Sequence, residues 1–527
     1  MKKIFTIAMV IALVAAFTVP AMAETKFSFK GTYRVRGFLL SNPGLQADQL
    51  DAKATGSIGT LNDPKRTYTP AIIGATETAS QSWMDMRFRM ESTFTVSERL
   101  AVVTRFDALD NKKYGESNDD WTGTGLNCQD NNNIDFDRAY MVVGTDFGKL
   151  QAGSMAGGTY GNVFRDSVTE RDRVRFDTKL SGWIISLVYE KQAENDSDTC
   201  NVIPGTATWY SNTTDADDDW YYVAGTYLSE DISGGLLLGY SNGKNNSDRP
   251  SNYPLAPTDR LVGFDTNVII ADPFINANFG DFNVKAEGQI FFGKAAEFDR
   301  DLYARELKNL NAVRKSLGYG QQPDVDFDAY AYNVEGSWAS GPFGAEIGYA
   351  YVKGDNDPYD DKNSAVGGVG DDWGKAFILT NTDSGFEAAA PAWGGLGAHA
   401  GAVDANVTPG NLSSGSTAAA NGMKMFYLGG SFSPMENLKI SALYANSKSD
   451  APGFVDFFAN STPRNSRSFA SDHGSEYDLT INWDIYDNLN YTFIAAYLDA
   501  GDYWQFGNPY RELENTYCFW QQLELSF

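Results

Sequence analysis

The stretch Arg171–Lys191, RDRVRFDTKLSGWIISLVYEK, limits what this chain can fold into more than any other. Arg171, Arg173, Arg175, Asp177 and Lys179 fall on one side of an extended chain, and Val174, Phe176 and Leu180 lie off that row. Ser181-Gly182 offers a two-residue turn, after which Trp183, Ile185, Leu187 and Tyr189 restart the alternation. The pattern predicts a β-hairpin with one wet face and one apolar face. In a soluble sandwich the wet face meets solvent. In a membrane it must face a lumen, because a cation turned toward lipid near the bilayer midplane costs roughly 2–4 kcal/mol.

The two ends of the chain separate these cases. Residues 1–23 read as a cleaved secretory signal: Lys2 and Lys3, an apolar run from Ile4 to Val19, then Ala21-Met22-Ala23 before Glu24. Nothing after Ala23 approaches 18 consecutive apolar residues, so only strands remain to cross a membrane. At the other end Tyr517, Phe519, Leu523, Leu525 and Phe527 share one face, and Trp520, Gln522, Glu524 and Ser526 the other. This resembles the closing strand of a bacterial outer-membrane β-barrel, which makes Phe527 the expected assembly signal. An ordinary half-buried last strand is the plainer reading of the tail taken alone.

Alternation recurs along the chain. Lys30, Thr32, Arg34 and Arg36 stand opposite Phe29, Tyr33 and Val35; Asp85, Arg87, Arg89 and Glu91 stand opposite Met86, Phe88 and Met90; Arg105 shares a face with Asp107. At Ile134–Gly144 the pattern breaks, since Arg138 has the parity of Phe136 and Tyr140; a β-bulge or a position near the rim would repair it, and its facing stays open. About eighteen strands result, joined alternately by short turns and long connections. The expected fold is all-β: a single closed antiparallel transmembrane β-barrel over 24–527, with sixteen strands as the fallback count, short periplasmic turns and long extracellular loops. The 51 glycines and 14% aromatic content fit turns and aromatic girdles, and the mean hydropathy of −0.36 fits a polar lumen. Two connections stand apart. Residues 296–318 carry helical spacing, for a helix at the mouth or on the surface; 354–422 is aperiodic, either a surface loop or a plug.

The net charge of −26 is concentrated in acidic runs such as Asp215–Asp219 and Asp355–Asp361, which read as solvated loops, with a divalent-cation site as the alternative because hard cations favour clustered oxygens. None has the spacing of a calcium loop, so no metal ligand and no cofactor is expected. Cys128 and Cys200 fall in loops and could pair; Cys518 would be left over.

Arg138–Ser154 (RAYMVVGTDFGKLQAGS) is similar to a porin strand, Phe-Gly turn and strand, and Arg173–Glu190 resembles the Arg-rich hairpin that follows it in the Gram-negative outer-membrane porin superfamily. The resemblance covers under a tenth of the chain. It implies a 16- to 18-stranded porin-like barrel in the cell outer membrane that passes small hydrophilic solutes and ions. The count of eighteen is similar to the sugar- and alginate-type channels. Implied partners are outer-membrane lipid, the solutes, the barrel assembly machinery and, as one option, two further copies in a homotrimer, with no nucleic acid. In such porins the loop after the Phe-Gly hairpin constricts the pore. Here Met155–Glu170 is short and offers only Asp166 and Glu170, which leaves the constricting loop unassigned.

If the alternation holds, the lumen has two unlike walls. Lys30, Arg34, Arg36, Arg87, Arg89, Arg105, Arg171, Arg173, Arg175 and Lys179 come from the first six strands, a single arc. Asp265, Glu287, Glu335, Glu346, Glu476 and Asp478 come from the tenth to sixteenth strands, across the barrel. Such walls would set a transverse field that sorts solutes by sign, or would only keep the lumen wet. Acidic loops act on cations within about 8 Å at physiological salt, so close range favours anions at the narrowest point.

Other classes fit less well. Gly239–Gly243 matches G-x-S-x-G around Ser241, but it leaves a strand for a polar loop without the helix a nucleophile elbow requires, and the only histidines are His399 and His473. No enzyme is expected. The alternative to a channel is a structural or surface-binding barrel whose long loops work while the lumen is plugged.

Overall fold

The hairpin at Arg171–Lys191 forms as expected, with pairs running from Asp172↔Lys191 to Leu180↔Trp183. Ser181 and Gly182 both take positive φ, 48° and 85°, which gives the turn a twist matched to its strands.

A computed structural model describes residues 25–42, 80–115, 134–193, 217–245, 264–298, 311, 315, 320–321, 323–356, 360–365, 369–370, 372–380, 421–451, 453–459, 462–505 and 513–527. The expected leader, Cys128, Cys200, His399 and most of the stretch given helical spacing lie outside these residues. Residues 296–298 of that stretch end a strand.

In chain order the strands are β1 (Lys26–Ser41), β2 (Gln81–Ser97), β3 (Leu100–Lys113), β4 (Ile134–Gly144), β5 (Lys149–Gly157), β6 (Thr169–Leu180), β7 (Trp183–Ala193), β8 (Asp218–Leu228) and β9 (Ile232–Asn245). They continue as β10 (Phe264–Phe279), β11 (Phe282–Phe298), β12 (Val325–Ser340), β13 (Phe343–Val352), β14 (Lys362–Asn363) and β15 (Met423–Met435). The last are β16 (Leu438–Lys448), β17 (Gly453–Ala459), β18 (Thr462–Phe469), β19 (Asp472–Tyr486), β20 (Leu489–Ala500) and β21 (Thr516–Ser526). β14 is a two-residue parallel bridge on β12, and β17–β18 is a separate hairpin. The other eighteen form one closed antiparallel cylinder in which β1 pairs with both β2 and β21. Turns of two to four residues alternate with longer connections all the way round.

The seam closes on the last residue. Gly31 N–H donates to the Phe527 carbonyl at 2.9 Å, and Phe527 N–H returns the bond to Gly31 at 3.0 Å. The Phe527 ring stacks on Phe88 at 5.9 Å and meets Phe29 edge-on at 6.3 Å. It lies over Gly31, where a Cβ would collide with it.

The outer surface is a membrane belt. Large apolar side chains stand exposed on the face opposite the charged rows: Phe29, Met141, Leu187, Leu238, Ile290 and Ile347 among them. Aromatic side chains stand exposed at both rims, Trp183, Phe282, Phe343 and Trp483 beside the short turns and Tyr332, Tyr349, Tyr477 and Tyr497 toward the long loops. Aromatic side chains with a polar tip suit such an interface. A closed, even-stranded barrel with this belt is a porin-like barrel of the outer membrane.

The break in pattern at Arg138 is a bulge. Arg105 pairs with Arg138 and Phe106 with Phe136, so Asp137 is the extra residue; Phe136 faces outward while Asp137 and Arg138 both reach lumenal partners.

A candidate pore with an internal partition

The barrel's apolar core lies inside its lumen, on the long-loop half. Many inward positions there are apolar: Phe38 and Leu40 of β1, Val352 of β13, Met423, Met425 and Tyr427 of β15, Leu498 of β20 and Cys518 of β21 are buried. They pack against chain that has folded in from the loops, which removes them from lumenal water.

One inward element is the connection 158–168. Gly158 and Gly161, with φ of 72° and 85°, let it turn back on itself, and Ser167 N–H closes it on the Gly158 carbonyl at 3.0 Å. Asp166 accepts the Tyr160 amide at 2.8 Å; burial pushes its carboxyl up to about 6, the Tyr160 bond opposing and Asp372 adding to the rise. The loop runs along the inner wall to β10 and β11. Tyr160 Oη–H donates to the Gly225 carbonyl at 2.9 Å and its ring meets Phe274 edge-on at 5.3 Å. At the far end Glu287 accepts the amides of Phe164 and Arg165 at 3.2 and 3.1 Å. The short connection that the sequence left unassigned is thus one of the elements narrowing the lumen.

The second comes from 354–422 and consists of the described stretches 369–370 and 372–380. Lys375 Nζ donates to Glu335 at 2.8 Å and to Glu346 at 2.7 Å. Phe377 N–H donates to Asp478 at 3.0 Å, and Ile378 and Leu379 donate to the two oxygens of Glu476 at 2.5 and 2.8 Å. Trp373 sits between Phe164 at 5.1 Å and Tyr427 at 6.1 Å, and Ile378 and Leu379 are buried. A third piece, Asp502–Gln505, adds Tyr503 and Trp504, whose indole N–H donates to the His473 carbonyl at 2.8 Å.

Glu287, Glu335, Glu346, Glu476 and Asp478, expected as an open acidic wall, therefore do face the lumen but hold these inward segments by their backbone amides and by Lys375. Asp265 does not join them. It shares the parity of the outward-facing Ile269 and is exposed, while Val268 and Ile270 take the inward positions. The rule that apolar means outward fails there because the inner face is covered.

The opposite arc, β1–β7, is a mixed ladder rather than a purely basic wall. Arg36 is clamped by Asp85 at 2.8 and 2.7 Å, both side chains 1% exposed. Asn111 Oδ1 accepts from Arg34 at 2.6 Å and Arg36 at 2.8 Å. It is brought inward where the β2–β3 register shifts, with φ of 55° at Leu109 and 52° at Asn111. Arg89 pairs with Asp107; Arg105 with Asp137 at 2.9 Å and Glu170 at 2.5 Å; Arg173 with Glu190 at 2.5 Å. Arg87 lies 3.7 Å from Asp110, Arg171 3.8 Å from Glu190, Lys30 3.0 Å from Glu91, and Arg175 donates to Asp177 at 2.8 Å. Lys179 pairs across the hairpin with Ile184 near the Ser181-Gly182 turn. Arg89, Arg171 and Arg175 keep 29%, 33% and 38% of their side chains exposed, against 9% for Arg105 and 10% for Arg173, so they are the arginines whose charge meets lumenal water. The mid-strand carboxylate Glu190 and the partition residues Tyr160, Trp373 and Lys375 were missed by sequence reasoning.

Among the described residues no group of three or more His, Cys, Asp or Glu side chains is arranged to hold a metal ion. Ser241 is buried in β9 and donates to Asp218 at 3.0 Å, while the buried His473 pairs with Ser447 at 2.9 Å.

No family model and no curated protein sequence matches the chain. Solved structures of similar fold include OccK8 (OprE) of Pseudomonas aeruginosa, at 10% identity and a TM-score of 0.43, covering 95% of this chain and 98% of that one. OpdK of the same organism is similar at 9% identity and 0.42, covering 95% and 99%. OmpT of Vibrio cholerae, in its trimer form, is similar at 8% identity and 0.39, covering 96% and 100%. At these identities the likeness concerns the barrel fold.

Proposed function

We propose that the protein is an outer-membrane channel for passive diffusion of small hydrophilic solutes and ions, and not an enzyme. The observation that carries this reading is the division of labour inside the barrel. The inward segments gather on the β10–β21 side, and the side chains left to water on the other arc are charged, with Arg89, Arg171 and Arg175 among them. A solute passing there sheds part of its hydration and meets donors and acceptors held in fixed positions. The acids paired with these three arginines are less exposed than they are, Asp107 at 3%, Glu190 at 2% and Asp177 at 13%, so the accessible excess is cationic and anions are favoured. Lipid surrounds the barrel, and assembly through the barrel machinery, with a homotrimer as the assembled form, belongs to the same proposal.

The reading is tested by swelling of liposomes loaded with the protein in a graded series of neutral sugars and organic acids. Small acids should enter faster than neutral solutes of equal size, and Arg89→Gln, Arg171→Gln and Arg175→Gln together should remove that advantage, about a tenfold loss at most. Equal rates for acids and sugars in the unaltered protein would refute the anion preference, and no swelling with any solute would refute the channel.

The apolar cluster within the lumen favours one second reading, a barrel that the partition plugs and whose long loops do the work. Under that reading liposomes stay impermeable to every solute.

A further inference from the structure

The two inward segments touch each other as well as the wall. Gly370 N–H donates to the Phe164 carbonyl at 2.9 Å, Asp372 N–H to the Asp166 carbonyl at 3.0 Å, and the Phe164 and Trp373 rings meet at 5.1 Å. Each segment is also held by a buried carboxylate that accepts two successive amides: Glu287 takes Phe164 and Arg165, at the stitch itself, and Glu476 takes Ile378 and Leu379, further along the second segment. Glu287 is 3% exposed and Glu476 is fully buried, so neither is a group a passing solute would touch.

We propose that 158–168 and the stretches 369–370 and 372–380 act as a single strap across the lumen, and that Glu287 and Glu476 are positioning residues that keep it drawn against the wall. Releasing Glu287 loosens the stitch itself, because the amides it holds, Phe164 and Arg165, adjoin the Phe164 and Asp166 carbonyls that accept from Gly370 and Asp372, and the second segment is then left with its wall anchors alone. The width of the solute path is then set from the wall rather than from the path itself. This last clause rests on the channel reading; the coupling of the two segments does not.

Cys518 supplies a reporter that does not depend on conduction. It is a buried thiol on β21, in the same apolar cluster as Ile378 and Leu379, whereas Glu287 stands on β11. In a Cys128→Ser, Cys200→Ser background it is the one cysteine left. The experiment is the rate at which a small water-soluble maleimide labels Cys518 in the purified barrel, with heat-modifiable gel mobility as the check on folding. Glu287→Ala is expected to speed labelling by about tenfold or more, since local opening exposes what the strap covers. Glu287→Gln, which keeps one acceptor oxygen, should fall between and guards against a variant that misfolds. In planar bilayers the same substitutions should raise single-channel conductance about twofold. A Cys518 labelling rate that Glu287→Ala leaves at the unaltered value, in a barrel that keeps its mobility, overturns the strap. A silent bilayer together with faster labelling overturns the channel and leaves the strap standing.

Discussion

Asp85→Ala should destabilise the barrel by about 3–5 kcal/mol, the cost of leaving a buried guanidinium without its carboxylate. Arg36 and Asp85 sit opposite each other on β1 and β2, each 1% exposed, with two hydrogen bonds between them. Asn111 would still offer Arg36 one acceptor at 2.8 Å, and the Phe38 ring lies 5.1 Å from its guanidinium carbon, so the loss falls toward the lower figure. Replacing both partners, Arg36→Met with Asp85→Leu, removes the stranded charge and should recover most of the stability, since isosteric apolar pairs often match a buried ion pair. Urea unfolding from lipid vesicles, followed by tryptophan fluorescence, measures both. A single variant within 0.5 kcal/mol of the unaltered protein would contradict the burial of this pair.

Deletion of Phe527 should lower the yield of closed barrel by about thirtyfold or more, at two hydrogen bonds of roughly 1 kcal/mol each together with the ring's packing. The carbonyl and amide of Phe527 are the last rung of the β1–β21 seam, and its ring bridges Phe88 and Phe29. Phe527→Ala keeps the rung and loses the ring, so it should lie between. The fraction of membrane-inserted protein that migrates as the compact, heat-modifiable form reads the effect. Equal yields for all three chains would show that the seam closes without its terminal residue.

The fold was legible because a transmembrane strand writes its two environments into alternate residues. The Arg171–Lys191 hairpin, the bulge at Asp137 and the count of eighteen all follow from a period of two and from where it slips. The lumen was legible only in part, because the same rule assumes that an inward position is wet. Where loops fold in, Phe38, Val268, Met425 and Leu498 face inward and are dry, and Asp265 was given the wrong face for that reason. The strap left no period at all. Its anchors are bonds from backbone amides to Glu287, Glu476 and Asp478, and a backbone amide is the same in every residue. What sequence could show was the acids themselves; that they hold chain rather than line water depends on packing that no spacing encodes. The arc of arginines was found, but its acids at Asp137, Glu170 and Glu190 lie on different strands from their partners and pair only once the register is set.

The central claim, that the space between the strap and the arginine arc is a continuous aqueous path, is tested most directly by adding the purified, folded protein to a planar lipid bilayer under a salt gradient. Discrete, ohmic conductance steps are expected, with a reversal potential that has the sign of anion preference. Folded protein that inserts, keeps its heat-modifiable mobility and gives no steps would contradict it.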